Sequence, residues 1–434
     1  MPGEPSVATA GRRALGWLEH PALRALVAIA LLATHLGLIG AAGQRFKLPF
    51  NRAPADAPAF QPADAGFGSG APRSWNRMLV SRWDSQYYIG TAIRGYSLCP
   101  PEDLRGKPLK ALMGRCAFHF YPGYSVLGLP LIKAGLAADH ALFAVSLLAS
   151  FLLLYLWTGP TLRERLGTGQ TYLSLLLFNA YTTGFTLVTV QTEPVTLLCG
   201  LGAFLLFSRK QLVLAALVAG AAGTFRVTGS TVGLALCVGL VGVALAGGSE
   251  PPWRRWLKCG LIGLLAGWGQ LAVFAYFWLR YADPLLYVHS HAEAFSHGVS
   301  LLQTVWPEPR TFNRALSLGP REGLFMVFTG LFLGLGLAAT LRRFTGPERW
   351  FWVGLLVFSL GVSLMGSAGL AYAGMNRYTL LALPVFFSMA TVLGNRPIAL
   401  AVWLAFSAWS YWQADMCTYV GDRGSERHCG IFWM

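Results

Sequence analysis

Long runs of apolar residues constrain this chain more than any other feature of its sequence. A helix needs about 20 mainly apolar residues to cross the roughly 30 Å hydrocarbon core of a bilayer. Runs near that length recur from one end of the chain to the other. We predict about eleven membrane-spanning helices, several of them short, at residues 23–42, 141–157, 171–190, 194–207, 212–224, 231–246, 259–280, 323–341, 350–370, 378–393 and 398–413.

The composition excludes the soluble and fibrous classes of protein. Hydrophobic residues make up 54% of the chain and charged residues 12%, whereas a soluble domain carries roughly 25% charged residues. The 50 glycines suit close helix packing in a bilayer, where small residues let two backbones approach. We therefore predict an all-α polytopic membrane protein, with residues 1–434 forming a single integral-membrane domain.

The strong positive charge of the chain points to lipids rather than to nucleic acid. The net charge is +15, but the Lys and Arg residues mostly flank apolar runs, where basic residues anchor and orient helices. No soluble segment carries the basic face that nucleic-acid binding requires. The expected partners are membrane lipids and lipid phosphates.

The short basic loops predict the orientation of the chain. Arg12, Arg13 and Arg24 precede the first apolar run and place the N-terminus in the cytoplasm. Residues 121–136 are apolar but interrupted by Pro and Gly, and counting them as a span would turn every later basic loop outward. We therefore interpret them as a re-entrant or interfacial segment. The loops 44–120 and 281–322 and the tail 414–434 are then extracytoplasmic, in a bacterial inner membrane rather than an endoplasmic reticulum membrane.

On this topology the polar residues that stand out all lie on the extracytoplasmic side. Ionisable residues at membrane depth are costly and are functional candidates by default. The candidates are Arg82, Trp83, Asp84 and Gln86 in the first loop, Glu193 after Gln191 and Thr192, Arg226, the group His289, His291, Glu293 and His297, and Arg377 after Asn376.

Each candidate also has a structural interpretation. Asp84 is suited to cap an interfacial helix, and Glu193 is suited to a helix start because of the helix dipole. Arg226 and Arg377 could snorkel to the headgroups or bind phosphate. The histidine group has ligand-type side chains, but its spacing does not match the helical His-x-x-x-His pattern of a metal site. We expect no cofactor and leave a divalent cation open. Nucleotide-binding and nucleophile-elbow motifs are absent from the sequence.

Six short motifs, in order, resemble those of the PIG-V-type mannosyltransferases, a family of the GT-C membrane glycosyltransferases. They are the first-loop motif at residues 82–88 with Arg94-Gly95-Tyr96, the Phe-Tyr-Pro element at residues 117–124, Thr192-Glu193, residues 225–229, Asp283-Pro284 with Val288-His289, and Asn376-Arg377-Tyr378. The chain departs from the family pattern at Gly123, where bulkier residues are usual, and at His119, where an aromatic ring is common.

The resemblance implies a GT-C-like fold and a transferase that faces the lumen or periplasm and uses a polyprenyl-phosphate sugar, usually mannose. It makes Asp84 the catalytic acidic residue. The residues expected to bind the donor or the acceptor are Arg82, Trp83, Gln86, His119, Tyr121, Glu193, Arg226, His289, His291 and Arg377.

The implied chemistry suits these residue types. A carboxylate can take the proton of the acceptor hydroxyl, and guanidinium groups can bind the leaving phosphate. In-line displacement would invert the anomeric carbon. The acceptor would be a glycolipid or a glycan. Two alternatives stay open, a transporter or flippase of lipid-linked precursors and a GT-C transferase that uses another sugar such as arabinose or aminoarabinose.

The seven cysteines divide by compartment. Cys199 and Cys237 lie in apolar runs, and Cys259 lies at the cytoplasmic side, so all three should be free thiols. The other four are extracytoplasmic on this topology, where disulfides form. We favour the pairs Cys99–Cys116 and Cys417–Cys429, because each pair brackets one polar loop, although four cysteines allow three connectivities.

Overall fold

A computed structural model describes residues 19–45, 84–96, 101–104, 109, 116–295, 320–364 and 379–420, and this part of the chain is helical without strands. The α-helices are α1 Pro21–Arg45, α2 Ser85–Arg94, α3 Gly123–Lys133, α4 Ala138–Trp157, α5 Pro160–Leu166, α6 Thr168–Asn179, α7 Glu193–Ser208, α8 Leu212–Phe225, α9 Ser230–Leu245, α10 Pro252–Ala266, α11 Trp268–Tyr281, α12 Leu286–Phe295, α13 Pro320–Arg343, α14 Gly346–Leu364, α15 Leu383–Leu393 and α16 Pro397–Val420. Short 3-10 helices cover Pro101–Leu104, Gly184–Val188 and Val227–Gly229.

Several helices are long and apolar enough to cross a membrane. Within the described residues three helical segments meet that requirement, Pro21–Ala41, Ala138–Trp157 and Val227–Leu245, and the bent pair α10 and α11 makes a fourth if it counts as one span. Helices α7, α8 and α15 are apolar but shorter. The structure thus has the character of a helical membrane protein, while the number of eleven spans stays a prediction.

The prediction of one continuous span at residues 171–190 is wrong. Helix α6 ends at Asn179, and an irregular buried segment follows, residues 181–192, which we call the strap. Threonines favour this break because their hydroxyls bond to nearby carbonyls in place of the helical ladder. Thr186 Oγ1 donates to the carbonyl of Thr183 at 2.8 Å. Ser150 Oγ of α4 donates to the carbonyl of Leu187 at 2.6 Å, so this buried carbonyl has a partner.

The predicted span 259–280 is also interrupted. Its residues belong to α10 and α11, which are bent by 48° relative to each other. Glycine at position 267 permits such a kink. On its far side Trp268 Nε1 donates to the carbonyl of Leu217 in α8 at 2.9 Å. This bond to a neighbouring helix fixes the direction in which α11 leaves the bend.

The ambiguous stretch at residues 121–136 contains α3, which has 11 residues. At 1.5 Å per residue this helix is about 16 Å long, too short to cross a bilayer. Other boundaries shift modestly. Helix α15 begins at Leu383 rather than at residue 378, and α16 extends to Val420, into the predicted tail.

Aromatic rings and glycines hold the bundle together. Trp352 of α14 lies 4.2 Å from the ring of Phe204 in α7 and 5.7 Å from Phe387 in α15, centroid to centroid. Helix α14 also packs closely on α9, where a Cβ added to Gly242 would lie 2.6 Å from the Trp350 ring. Small residues at such contacts provide the close packing that joins helices in lipid.

Candidate functional site

The described residues include only part of the predicted site. Residues that lie outside them are Arg82, Trp83, Cys99, His297, Asn376, Arg377 and Cys429. Gln86, His291, Glu293 and Cys417 lie on described helices, but their side chains lie outside the description. The roles predicted for these residues stay predictions.

Asp84 occupies the N-cap position of α2, yet its side chain makes no capping hydrogen bond to that helix. The structural interpretation as a side-chain cap is therefore wrong. The residue is only partly buried, so the carboxylate of Asp84 is not sealed inside the bundle at the start of α2.

Helix α2 is held firmly by its neighbours. Ser85 Oγ donates to the carbonyl of Val190 in the strap at 3.0 Å. Ser125 Oγ of α3 donates to the carbonyl of Tyr88 at 2.8 Å. The first bond joins the start of α2, which follows Asp84, to the strap that leads into Glu193, and the second joins α2 to α3.

His119 lies beside this helix among aromatic rings. Its centroid is 5.2 Å from that of Tyr87 and 4.5 Å from that of Phe120. Burial lowers the pKa of His119 to about 4, against the opposing influence of the Asp84 carboxylate. The imidazole is consequently neutral near pH 7. Burial, together with the Asp84 charge, also raises the pKa of Tyr87.

Glu193 and Arg226 form a buried ion pair. The Arg226 guanidinium donates through Nη1 to Glu193 Oε1, and the two side chains are 15% and 3% exposed. Glu193 begins α7, and Arg226 lies between α8 and α9 in extended conformation. The structure thus brings together two residues that the sequence proposed separately. It places Arg226 on a carboxylate of the protein rather than among lipid headgroups.

A second polar chain joins Tyr121 to residues that the sequence analysis missed. Gln270 Nε2 of α11 donates to the Tyr121 hydroxyl at 2.8 Å, and Ser230 Oγ of α9 donates to Gln270 Oε1 at 2.6 Å. Burial raises the pKa of Tyr121 to about 12, although the Gln270 bond opposes this shift. An amide in the middle of the apolar run 259–280 was the available signal for Gln270.

The loop before α12 approaches the same region. Asp283 Oδ2 accepts a hydrogen bond from His289 Nδ1 at 2.8 Å, and Asp283 Oδ1 accepts one from the Leu285 amide at 2.9 Å. Because a carboxylate can only accept a hydrogen bond, Nδ1 of His289 carries the hydrogen of this bond. Tyr287 packs edge-on against Tyr121 at 4.6 Å, which brings this loop to the Tyr121 chain.

Glycine at position 123 has a steric reason. A Cβ added there would lie 2.5 Å from the carbonyl oxygen of Thr224 in α8. Any side chain would push α3 away from the end of α8, which leads directly to Arg226. Glycine at this position therefore lets the start of α3 pack directly against the end of α8.

The cysteines divide as the compartments suggest. Cys116 is disulfide-bonded, whereas Cys199, Cys237 and Cys259 are free thiols. The favoured partner Cys99 lies outside the described residues, so the pairing stays a prediction. Cys116 is buried in the aromatic cluster that contains Tyr96, Phe118 and Tyr281.

Asp84, His119, Tyr121, Glu193 and Arg226 therefore lie in one connected region, which we call the Asp84 cluster. Within the described part of the chain no group of three or more metal-ligand side chains is positioned to hold an ion. Comparisons with protein-family models, with curated proteins and with solved structures return no match for this chain.

Proposed function

We propose that this protein is a membrane glycosyltransferase that moves a sugar, mannose in the first instance, from a polyprenyl-phosphate donor to a glycolipid or glycan acceptor. The reaction would take place on the extracytoplasmic face of a bacterial inner membrane, with inversion at the anomeric carbon. The observation that supports the proposal is the hydrogen bond of 3.0 Å from Ser85 Oγ to the Val190 carbonyl. It ties the residue after Asp84 to the strap, three residues before the Glu193 of the Glu193–Arg226 ion pair.

Asp84 is the proposed general base. A partly buried carboxylate that is not used as a helix cap can accept the proton of an acceptor hydroxyl as the glycosidic bond forms. Burial lowers the pKa of His119 to about 4, so this neighbouring imidazole is neutral and adds no positive charge to the site at neutral pH. In this step the acceptor oxygen bonds to the anomeric carbon, the bond between that carbon and the donor phosphate breaks, and Asp84 takes the hydroxyl proton.

Arg226 is the proposed contact for the donor phosphate. A guanidinium presents five N–H donors in a planar fork, and Glu193 receives a bond from Nη1. The pair is neutral as a unit, so we assign stabilisation of the leaving phosphate to directed hydrogen bonds rather than to net charge. Glu193 is 3% exposed, which favours a role in orienting Arg226 over direct contact with a substrate.

Tyr121, like Glu193, is almost completely buried, so its proposed role is to position its neighbours rather than to contact the sugar. Its oxygen accepts the Gln270 amide, and the raised pKa, about 12, keeps the phenolic proton in place at any physiological pH. His289, fixed by Asp283 and 54% exposed, is the proposed contact for the sugar.

The second candidate is a transporter or flippase of lipid-linked precursors. Transporters use interrupted helices whose irregular backbone lines the substrate path, and the strap and the α10–α11 bend are such interruptions. Carbonyls of the strap, however, accept bonds from Ser85 and Ser150. A strap engaged in this way favours a structural role for the interruption, and hence the transferase.

The test is sugar transfer in sealed vesicles of opposite orientation, with a radiolabelled short-chain polyprenyl-phosphate mannose added outside. Wild-type protein should form product only where the extracytoplasmic face is outward. Asp84→Asn should lower the rate at least about 100-fold while the protein still inserts and folds. The matched control is Asp139→Asn, because Asp139 is a mostly buried carboxylate in the first turn of α4.

Three outcomes would count against the proposal. A well-folded Asp84→Asn protein with wild-type turnover removes Asp84 as the base. Product in the inverted vesicles alone overturns the assigned face. Movement of a fluorescent lipid-linked sugar across proteoliposomes, without transfer from mannose, arabinose or aminoarabinose donors, would identify the transporter instead.

A further inference from the structure

The start of α10 carries a group of basic and aromatic side chains that the proposed reaction does not use. These are Trp253, Arg254, Arg255, Trp256 and Lys258, which we call the α10 patch. Trp253 and Trp256 are 62% and 45% exposed. The Arg254 guanidinium lies 5.2 Å from the centroid of the Trp253 ring. Exposed tryptophan beside basic residues is typical of a helix end at the level of the lipid headgroups.

An apolar ridge continues from the patch along the same helix. Leu257, Leu261 and Leu264 follow one another at helical spacing and are 56%, 59% and 72% exposed. Beside them a Cβ added to Gly260 would touch nothing within 4 Å, so the helix surface next to the ridge is open, and we call this open strip the groove. A helix face of this kind passes from the headgroups to the acyl chains within two to three turns.

Arg255 is the specific feature of the patch. Its Nε and Nη1 are buried and have no hydrogen-bond partner within the described chain. The guanidinium is folded back over the turn at Gly247 and Gly248. Burying such donors without an acceptor is costly, and the acceptor that best fits a guanidinium fork is a carboxylate or a phosphate.

The charge balance favours an anionic occupant. Glu250 is the acidic side chain at this turn, and its carboxylate oxygen lies 3.9 Å from Lys258 Nζ. Arg254, Arg255 and Lys258 together exceed it by two charges. A free phosphate could satisfy Arg255, but it would leave the adjoining ridge and groove without a partner. A phospholipid uses both.

We propose that the α10 patch is a binding site for an anionic phospholipid. The Arg255 guanidinium turns outward from Gly247 and Gly248 to donate hydrogen bonds to the lipid phosphate, with Arg254 and Lys258 adding charge, and an acyl chain lies along the groove at Gly260. Trp253 and Trp256 hold the headgroup at the interface. The site is separate from the Asp84 cluster and does not depend on the proposed reaction.

The test uses the full chain in nanodiscs of phosphatidylcholine with or without phosphatidylglycerol, read by thermal unfolding and by lipid retention in native mass spectrometry. Phosphatidylglycerol should stabilise the wild type and remain bound. Arg255→Gln should lose most of that stabilisation and weaken retention about fivefold or more, the effect of one basic residue near an anionic surface. In phosphatidylcholine alone it should be at least as stable as wild type, because Arg255 loses no acceptor within the protein.

Two further samples keep the test specific. Lys210→Gln, an equal charge change on an exposed residue of another loop, should respond to phosphatidylglycerol like the wild type. Arg255→Lys, which keeps the charge but loses the fork, should retain only part of the effect. The proposal is overturned if Arg255→Gln responds like wild type, if Lys210→Gln loses as much, if Arg255→Gln fails to fold in phosphatidylcholine, or if inorganic phosphate alone reproduces the stabilisation.

Discussion

The two ends of the helix bundle differ in how their charged side chains are paired. Helix α7 connects these ends, because it begins at Glu193 and is followed by Arg209. The 16 residues of α7 separate these ends by about 24 Å. At the Arg209 end, arginines bond to groups at neighbouring helix ends. Arg24 donates to the Tyr155 carbonyl at 2.7 Å, and Arg209 donates to Thr161 Oγ1 at 2.9 Å.

The clearest contrast is between two ion pairs. Arg165 and Glu348 join α5 to α14 by paired hydrogen bonds, Nε to Oε2 at 2.9 Å and Nη2 to Oε1 at 2.5 Å, and are 29% and 23% exposed. Glu193 and Arg226 are much more buried. A partly solvated ion pair connects two helices at low cost. Burying an ion pair removes both charges from water, and the cost of this can exceed the gain from their attraction. A buried pair therefore points to a role other than stability. The Asp84 cluster supplies such a role.

The largest effect should come from removing one partner of the buried pair. Glu193→Gln leaves Arg226 charged and uncompensated, which should lower the free energy of unfolding by about 3–5 kcal/mol. The double variant Glu193→Gln with Arg226→Gln should recover part of this loss. Detergent-titration unfolding measures both. A loss under about 1 kcal/mol would mean that the Glu193–Arg226 pair resembles the exposed one.

The disulfide of Cys116 should have the next effect. If Cys99 is its partner, the bridge closes a short loop and contributes about 3 kcal/mol in the chain-entropy model. Reduction, or Cys116→Ser, should lower stability by roughly that amount and loosen the segment that follows α2. Cys237→Ser, at a free thiol, is the control and should change little. Non-reducing peptide mapping identifies the partner, and a link from Cys116 to Cys417 or Cys429 would contradict the favoured pairing.

A pH dependence should follow from His119. Its pKa falls from 6.5 to about 4 on folding, so between these values the unfolded chain binds a proton that the folded protein excludes. Stability is therefore complete above pH 6.5 and declines by up to about 1.4 kcal/mol per pH unit as the pH falls towards 4. His119→Phe should flatten this slope in unfolding measurements. An unchanged slope in His119→Phe would assign it to other groups.

The smallest effect should come from the less buried pair, Arg165 and Glu348. Glu348→Gln removes a partner from Arg165, but water can solvate the remaining charge, so the loss should be about 1 kcal/mol or less. Arg165 also keeps its bond to the Thr161 carbonyl at 3.2 Å. Measured beside Glu193→Gln under the same conditions, this variant tests the contrast directly. Equal losses at the two ends would remove the distinction between them.

The sequence by itself determined the helical membrane class, most helix positions and the local features of the Asp84 cluster. Apolar runs, prolines and glycines act within a few residues, so their pattern alone indicates where helices such as α1, α4 and α7 form. For the same reason the sequence indicated a helix start at Asp84 and another at Glu193. It also indicated that residues 121–136 were too interrupted for an ordinary span.

Only the tertiary structure decided which polar groups meet. Arg226 lies 33 residues from Glu193 along the chain, and Gln270 lies 149 residues from Tyr121. The break after Asn179 likewise depends on Ser85 and Ser150, which are distant in sequence and donate to strap carbonyls. A hydrogen bond forms where packing brings donor and acceptor together. Which helices pack against each other depends on the whole chain, so no short stretch of sequence indicates these contacts.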